Sequence, residues 1–202
     1  EGILYDLLGR FHKQDMREAT VDEYMRRYHV DTQQAARVRR IAARLATAIG
    51  VDDESDLRIL DWAARLHEIG LSVSHGGYHR HSGYILENAD MPGFSRSEQG
   101  RLALVARAQR GALSKIPEVA ALGALDFAAT PDLKLIWLLR QAVLLCRSRA
   151  EPRLGEVLAR LQKSACSLEF AGGWLERRPL THRAFEEESG HWKMVGVNYR
   201  VD

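Results

Sequence analysis

The amino-acid sequence predicts a mainly α-helical protein, in which a helical bundle is followed by a small α+β unit with antiparallel strands. Apolar residues recur at helical spacing over most of the first 150 positions, and residues 133–147 form a strongly apolar helix suited to the centre of a core. After Pro152 the pattern changes, because a Gly-Gly pair and alternating polar and apolar residues are typical of short strands. We therefore expect two domains, 1–150 and 151–202.

Capping residues mark where the helices of the first domain begin. Thr20 has an acidic residue three positions later, a capping-box pattern that predicts a helix over 20–28. Asp31 or Thr32 can cap the next helix, and Ser95 followed by Glu98 predicts another that runs past residue 105. Further helical segments are expected at 35–45, 57–69 and 84–88.

The second domain is harder to divide into elements. Residues 167–170 and the alternating apolar side chains of 192–201 predict strands. Residues 154–163 fit either a helix or a strand.

Composition excludes several classes of protein. The formal net charge is +2, so global charge predicts no polyanionic partner and any such argument must rest on local clustering. No apolar run is long enough for a transmembrane segment. Cys146 and Cys166 lie in apolar contexts without metal-ligand spacing, which favours buried thiols and a cytoplasmic location, free or peripheral to the inner membrane.

The most informative stretch is LHEIGLSVSHGGYHRHSGYIL, residues 66–86. His67 and Glu68 follow an apolar helix, and Gly70 suits its C-terminus. His75, His79 and a third histidine then fall in what the glycines predict to be a loop. Metal hydrolases often place a His-Asp pair on one helix and draw further ligands from others, because the ligands must converge on one cavity.

Several positions where such a metal site would need ligands carry none. Gln34 stands where an early histidine is expected, Gln109 replaces another, and Val143 replaces the late carboxylate. The residues therefore favour a site without a catalytic metal, in which His67 and Glu68 hydrogen-bond each other and the backbone. A weak or structural ion at His67, Glu68 and His81 is the alternative.

Basic residues suggest a different role for the His-rich segment. A glycine-containing loop that leads into a helix can bind anions through its N–H groups, which makes His75, His79 and Arg80 candidates. Arg107 and Arg110 share one helix face. Between residues 71 and 115, six Lys/Arg stand against three acidic residues. A second stripe is read as a solvated helix face; it consists of Arg37, Arg40 and Arg44.

At these residues the chain resembles a known family. The segments LHEIG, SHGGYHRHSGYIL and MPGF, together with EGILYDL, RRYHVD, QQAARV and LLRQAVLL, resemble the C-terminal half of exopolyphosphatases, which include the guanosine pentaphosphate phosphohydrolases. The resemblance implies a helical domain similar to His-Asp (HD) phosphohydrolases, followed by a small final domain. It also implies N-terminal catalytic domains of the same chain, which hold magnesium and are expected to be missing from a sequence that starts at Glu1 without Met.

What the resemblance implies for function is polyphosphate binding and dimerisation rather than catalysis. The positions that match the family's phosphate-contacting loop are His75 and His79, with Arg107 and Arg110 on the next helix, and we add Arg80 from the local charge. The residues Gln34, His67, Glu68 and His81 would form a degenerate HD-like site with no catalytic residue, no metal and no cofactor in this region. The expected partners are inorganic polyphosphate and a second copy of the chain in a homodimer.

Two other functions remain open at this point. A metal-dependent HD-type phosphohydrolase would act through His67, Glu68 and His81. A nucleic-acid-binding domain could use the same arginines, but aromatic residues are not interleaved with them to stack bases, so we expect no nucleic-acid partner. His79 is expected to strengthen phosphate binding as the pH falls, because its imidazolium form attracts anions.

Overall fold

Seven α-helices build the first part of the chain in a computed structural model that describes residues 16–122 and 126–202. The predicted fold class, mainly α with a small α+β unit, is confirmed. Two short 3-10 helices, Ile69–Ser72 and Leu113–Lys115, lie between α-helices of this part. The α-helices are α1 (16–27 within the described residues), α2 (Thr32–Ala48), α3 (Glu54–Leu66), α4 (Tyr78–Asn88), α5 (Arg96–Ala108), α6 (Pro117–Leu122) and α7 (Pro131–Leu145).

Helix α7 lies at the centre of the bundle, as its sequence predicted. It is apolar on nearly all sides, a pattern that is stable only where other elements cover the whole helix. Helices α2, α3 and α5 pack against it, and Trp137 and Leu138 are fully buried. Even the polar Arg140 and Gln141 of this helix are excluded from solvent.

Two of the three predicted caps are confirmed. The Asp31 side chain accepts a hydrogen bond from the Gln34 N–H at 2.9 Å, and Ser95 forms a complete capping box at the start of α5. The Thr20 cap is wrong, because α1 already runs through that residue. The Thr20 hydroxyl instead donates to the Pro92 carbonyl oxygen at 2.8 Å and ties α1 to the turn after α4. The EGILYDL segment lies outside the described residues.

The His-rich segment is more helical than expected. Helix α4 starts at Tyr78 and not at Tyr84, so His79 sits in its first turn and not in a loop. Gly77 precedes it in the left-handed region, with φ of 69°. Gly70 has no helix-terminating conformation; it is needed because a Cβ there would lie 2.1 Å from the Tyr78 carbonyl oxygen. Its 3-10 turn can therefore pack directly on α4.

The C-terminal unit is a three-stranded sheet with one helix. Its elements are β1 (Val157–Gln162), β2 (Ala165–Phe170), α8 (Pro179–Lys193) and β3 (Asn198–Val201). Residues 154–163 thus contain a strand, which pairs antiparallel with β2. Strand β3 pairs with β2 in parallel, because α8 carries the chain back across the sheet. The expectation of a strand from residue 192 is wrong in part, since Trp192 is a buried residue of α8.

Buried polar contacts join this unit to the bundle. The Arg140 guanidinium of α7 donates from Nε to Glu188 Oε1 at 2.5 Å and from a second nitrogen to Glu188 Oε2 at 2.6 Å. Trp192 Nε1 donates to the same carboxylate at 2.7 Å, and the Tyr199 hydroxyl donates to Gln141 at 2.8 Å. The division into two domains stays a prediction, but the two parts share a buried interface. Within the described residues, no helix is long and apolar enough to cross a bilayer.

We expect the substitution Glu188→Ala to lower the free energy of unfolding by about 3–5 kcal/mol, because it leaves a buried guanidinium without its counter-charge. Glu188→Gln should cost less, since it keeps hydrogen-bond acceptance. Glu187→Ala is the matched control, because this neighbouring side chain is exposed and forms a surface ion pair with Arg183 at 3.5 Å. It should change stability by less than about 0.5 kcal/mol. Urea unfolding measures the stability of all three variants. Equal effects of the two alanine substitutions would contradict a stabilising role for the buried Arg140–Glu188 pair.

Candidate anion-binding site

Two cavities of the described part of the chain are lined in part by residues of α4 and of the segment that follows α5. The first, which we name the basic cleft, has a volume of about 520 Å³. The second, the junction cavity, has a volume of about 640 Å³ and lies between the helical bundle and α8. Arg110 lines both. The basic cleft is lined by His79, Arg80, Tyr84, Glu87, Arg107, Arg110, Ala112, Lys115 and Ile116.

The close packing of α4 on α5 forms the basic cleft. Gly83 faces Arg107 so closely that a Cβ at position 83 would lie 2.6 Å from the Arg107 Cβ. The first turn of α4 supplies His79 and Arg80, the last turn of α5 supplies Arg107, and Arg110 and Lys115 follow within the next turns of the chain. Four of the five residues selected from the sequence for phosphate binding therefore line one cleft. Their role in binding stays a prediction.

Most of the positive charge of the cleft is uncompensated. Arg107 pairs with Glu118 at 2.5 Å, and Glu87 is the one carboxylate among the described residues that line the cleft. Among the described residues, no ion pair involves Arg80, Arg110 or Lys115. The Arg110 guanidinium instead lies over the Tyr78 ring, 5.7 Å from its centroid. Cations that lack a carboxylate partner favour an anionic ligand.

His79 sits in this cleft as a neutral imidazole. The side chain is half-buried, and burial, followed by the positive charges of Arg80 and Arg110, lowers its pKa to about 4. Near neutral pH the ring can therefore donate one N–H to a phosphate but carries no charge. The expected strengthening of binding by the imidazolium form is thus displaced to acidic pH.

His75 and His81 lie outside the basic cleft. His75 is the one candidate that stays in the loop before α4; it is exposed and lines the junction cavity. His81 is in α4, where its Cβ approaches Gly70, and it lines neither cavity.

The junction cavity contains the positions at which a metal hydrolase would carry ligands. Gln34, Glu68, Gln109 and Val143 all line it. His67 is fully buried behind them, and its Nδ1 donates to the Ala64 carbonyl oxygen at 2.8 Å. Burial lowers the pKa of His67, which keeps its imidazole neutral.

The expected His67–Glu68 hydrogen bond is not formed. His67 Nε2 lies 3.9 Å from Glu68 Oε1, which is too long for one. Glu68 instead accepts two hydrogen bonds from the Arg149 guanidinium, at 2.9 and 3.1 Å. Arg149 also reaches Asp31 at 2.9 Å.

These residues do not fit a metal. Over residues 16–122 and 126–202, no group of three or more His, Cys, Asp or Glu side chains is arranged to hold an ion. The Glu68 carboxylate already pairs with Arg149, and His81 does not line the cavity.

Sequence reasoning missed the role of Arg149 and the contacts of the arginines on α2. Arg149 has a positive φ of 54° and pairs with a carboxylate 81 residues away, which no local pattern reveals. The stripe of basic residues on α2 is exposed at Arg40 and Arg44, as expected for a solvated helix face. At that surface Arg40 pairs with Glu151 and Arg44 donates to the Gly155 carbonyl oxygen, in the segment that leads into the C-terminal unit.

The fold and the cleft define a mainly α-helical domain with a cationic cleft on its surface. Residues 16–189 match the family described as Ppx/GppA phosphatase, domain III. The chain belongs to this family.

Its relatives are longer proteins. The chain is 36% identical over 204 residues to the guanosine-5'-triphosphate,3'-diphosphate pyrophosphatase of Pseudoalteromonas translucida, a match that covers 96% of this chain and 40% of that protein. It is 32% identical to the protein of the same name from Vibrio parahaemolyticus and 29% identical to that from Vibrio vulnificus; each match covers 97% of this chain and 39% of the relative. The chain therefore spans about 40% of the length of the curated relatives it matches.

The position of His79 predicts a pH-dependent stability. Its pKa of about 4 in the folded protein lies below the value of 6.5 expected in the unfolded chain, so the unfolded chain binds the proton more readily. The stability present above about pH 6.5 should therefore fall as the pH drops towards about 4. His79→Gln should reduce the difference in unfolding free energy between pH 7 and pH 5, measured with urea. His182→Gln, at an exposed histidine that lines neither cavity, is the control. An unchanged difference in the His79 variant would exclude this assignment.

Proposed function

We propose that this chain is the polyphosphate-binding and dimerisation region of an exopolyphosphatase of the Ppx/GppA family. In this proposal, N-terminal catalytic domains outside the chain release the terminal phosphate of inorganic polyphosphate with magnesium, in the cytoplasm. The observation that carries it is the basic cleft, in which Arg80, Arg110 and Lys115 face one cavity without carboxylate partners among the described residues.

The chemistry of the cleft suits a linear polyanion. Polyphosphate presents a negative charge at every unit, so spaced cations and N–H donors hold it better than a single deep pocket would. Each exposed contact is weak, because water and salt screen it. Contacts along one chain act at a high effective concentration, so a modest cleft can still retain a long substrate near a catalytic domain.

Guanosine pentaphosphate is the second candidate ligand of the cleft. The names of the relatives favour it, since each is called a pyrophosphatase of that nucleotide. The two ligands differ in length, so affinity that rises steeply with the number of phosphate units supports polyphosphate. Tighter binding of the nucleotide than of a polyphosphate with equal charge supports the alternative.

The binding proposal predicts a specific loss of affinity. The variant Arg80→Ala/Arg110→Ala/Lys115→Ala should bind long-chain polyphosphate at least about tenfold more weakly at low salt, with a shallower dependence of log affinity on log salt, because fewer counter-ions are displaced. The control is Arg40→Ala/Arg44→Ala, which removes two arginines that contact the 151–155 segment and line neither cavity. Fluorescence anisotropy at two salt concentrations measures both. A control that loses as much affinity as the triple variant would show that only total charge matters.

The proposal also predicts that the chain by itself is catalytically silent. We expect no phosphate release from polyphosphate with magnesium, because the residues around the junction cavity do not fit a metal. A malachite-green assay before and after repurification measures this. Turnover that persists after repurification and disappears in His67→Ala would instead support the metal-dependent HD-type phosphohydrolase.

A further inference from the structure

We propose that the junction cavity is a second binding site, for a small phosphorylated organic molecule that carries an N–H or O–H donor, such as a nucleotide or a sugar phosphate. This site shares Arg110 with the basic cleft but otherwise has its own lining, and the proposal does not rest on polyphosphate binding in that cleft. It is defined by an unpaired buried acceptor, by uncompensated positive charge and by its size.

The unpaired acceptor is Gln109 Oε1. The Gln109 side chain is 3% exposed and lines the cavity. Its Nε2 donates to the His67 carbonyl oxygen, and because a carbonyl can only accept, this bond fixes which way the amide points. Oε1 is left without a hydrogen-bond partner among the described residues. An acceptor buried without a partner is unfavourable, so a ligand whose N–H or O–H reached Oε1 would gain a hydrogen bond there.

The charge of the cavity wall favours an anion. The three carboxylates that line it already have partners: Glu68 pairs with Arg149, Glu188 with Arg140, and Glu187 with Arg183. In the part of the chain that the structure describes, the lining Arg110 and Arg147 take part in no ion pair with a carboxylate. Two histidines, His75 on the loop before α4 and His191 on α8, add further donors.

The size of the cavity separates an organic ligand from a bare ion. Small-molecule sites typically span about 300–1,000 Å³, and the junction cavity measures about 640 Å³. A single phosphate would fill only part of that space. Leu71, Val143 and Leu144 form an apolar section of the wall, against which the carbon-bearing part of a ligand can pack.

Calorimetric titration of the 202-residue chain tests this site with three probes: adenosine diphosphate, glucose 6-phosphate and inorganic phosphate. The expected result is binding of at least one of the two organic phosphates with a Kd below about 1 mM. Arg147→Gln and Gln109→Leu should each weaken that binding about tenfold, the effect of losing one charge-assisted or buried hydrogen bond. The two organic probes tell a nucleotide site from a sugar-phosphate site.

Controls separate this proposal from the role of the basic cleft. Arg80→Ala, which lines only the basic cleft, should bind the organic phosphate as wild type does, and Arg147→Gln should keep wild-type affinity for polyphosphate. Arg147 is exposed, so its substitution tests the site even if Gln109→Leu impairs folding. The proposal is overturned if neither organic phosphate binds, if only inorganic phosphate binds, or if Arg147→Gln binds the organic probe as tightly as wild type.

Discussion

The arrangement of both cavities depends on the hydrogen bonds that the Arg140 guanidinium donates. It is buried in the middle of α7, and a buried guanidinium is tolerated only when its donors are satisfied. Besides the two bonds to Glu188, it donates to the carbonyl oxygens of Ala108 at 2.6 Å and Gly111 at 3.0 Å. These carbonyls flank Arg110. One side chain therefore fixes the end of α5, the turn that carries Arg110 and the helix of the C-terminal unit.

These hydrogen bonds of Arg140, which we call the clamp, connect the C-terminal unit to the turn that carries Arg110, although that unit does not line the basic cleft. Helix α8 supplies Glu188. Without that carboxylate, burial of the charged Arg140 guanidinium beside the Arg110 turn would be unfavourable. The many basic residues of the chain thus divide by environment. Arg140 and Arg149 pair with carboxylates of other elements, and Arg40 and Arg44 contact the 151–155 segment at the surface. Arg80 and Lys115 instead line a cavity without an ion pair among the described residues.

Features that depend on residues close together in the sequence could be predicted from it. The Asp31 cap, the Ser95 capping box and the apolar α7 depend on neighbouring residues, and all three were correct. The predicted start of α4 was wrong, because the N-cap residue is Gly77, which has a left-handed backbone conformation and no side chain that could mark the cap in the sequence. Partners distant in the sequence were invisible as well: nothing near Glu68 indicates that Arg149 neutralises it. The sequence could select His79 for its position but not foresee the burial that lowers its pKa.

The shared position of Arg110 links the two cavities. Its guanidinium lies over Tyr78, which also lines the junction cavity, and the residue is exposed. An anion in the junction cavity would draw Arg110 towards it and remove a cation from the basic cleft, so each ligand would weaken the binding of the other. Such coupling is reciprocal by thermodynamic necessity. The Arg140 hydrogen bonds hold the backbone of this turn and leave the Arg110 side chain at the surface, so such coupling would act through that side chain and not through a rearrangement of the fold.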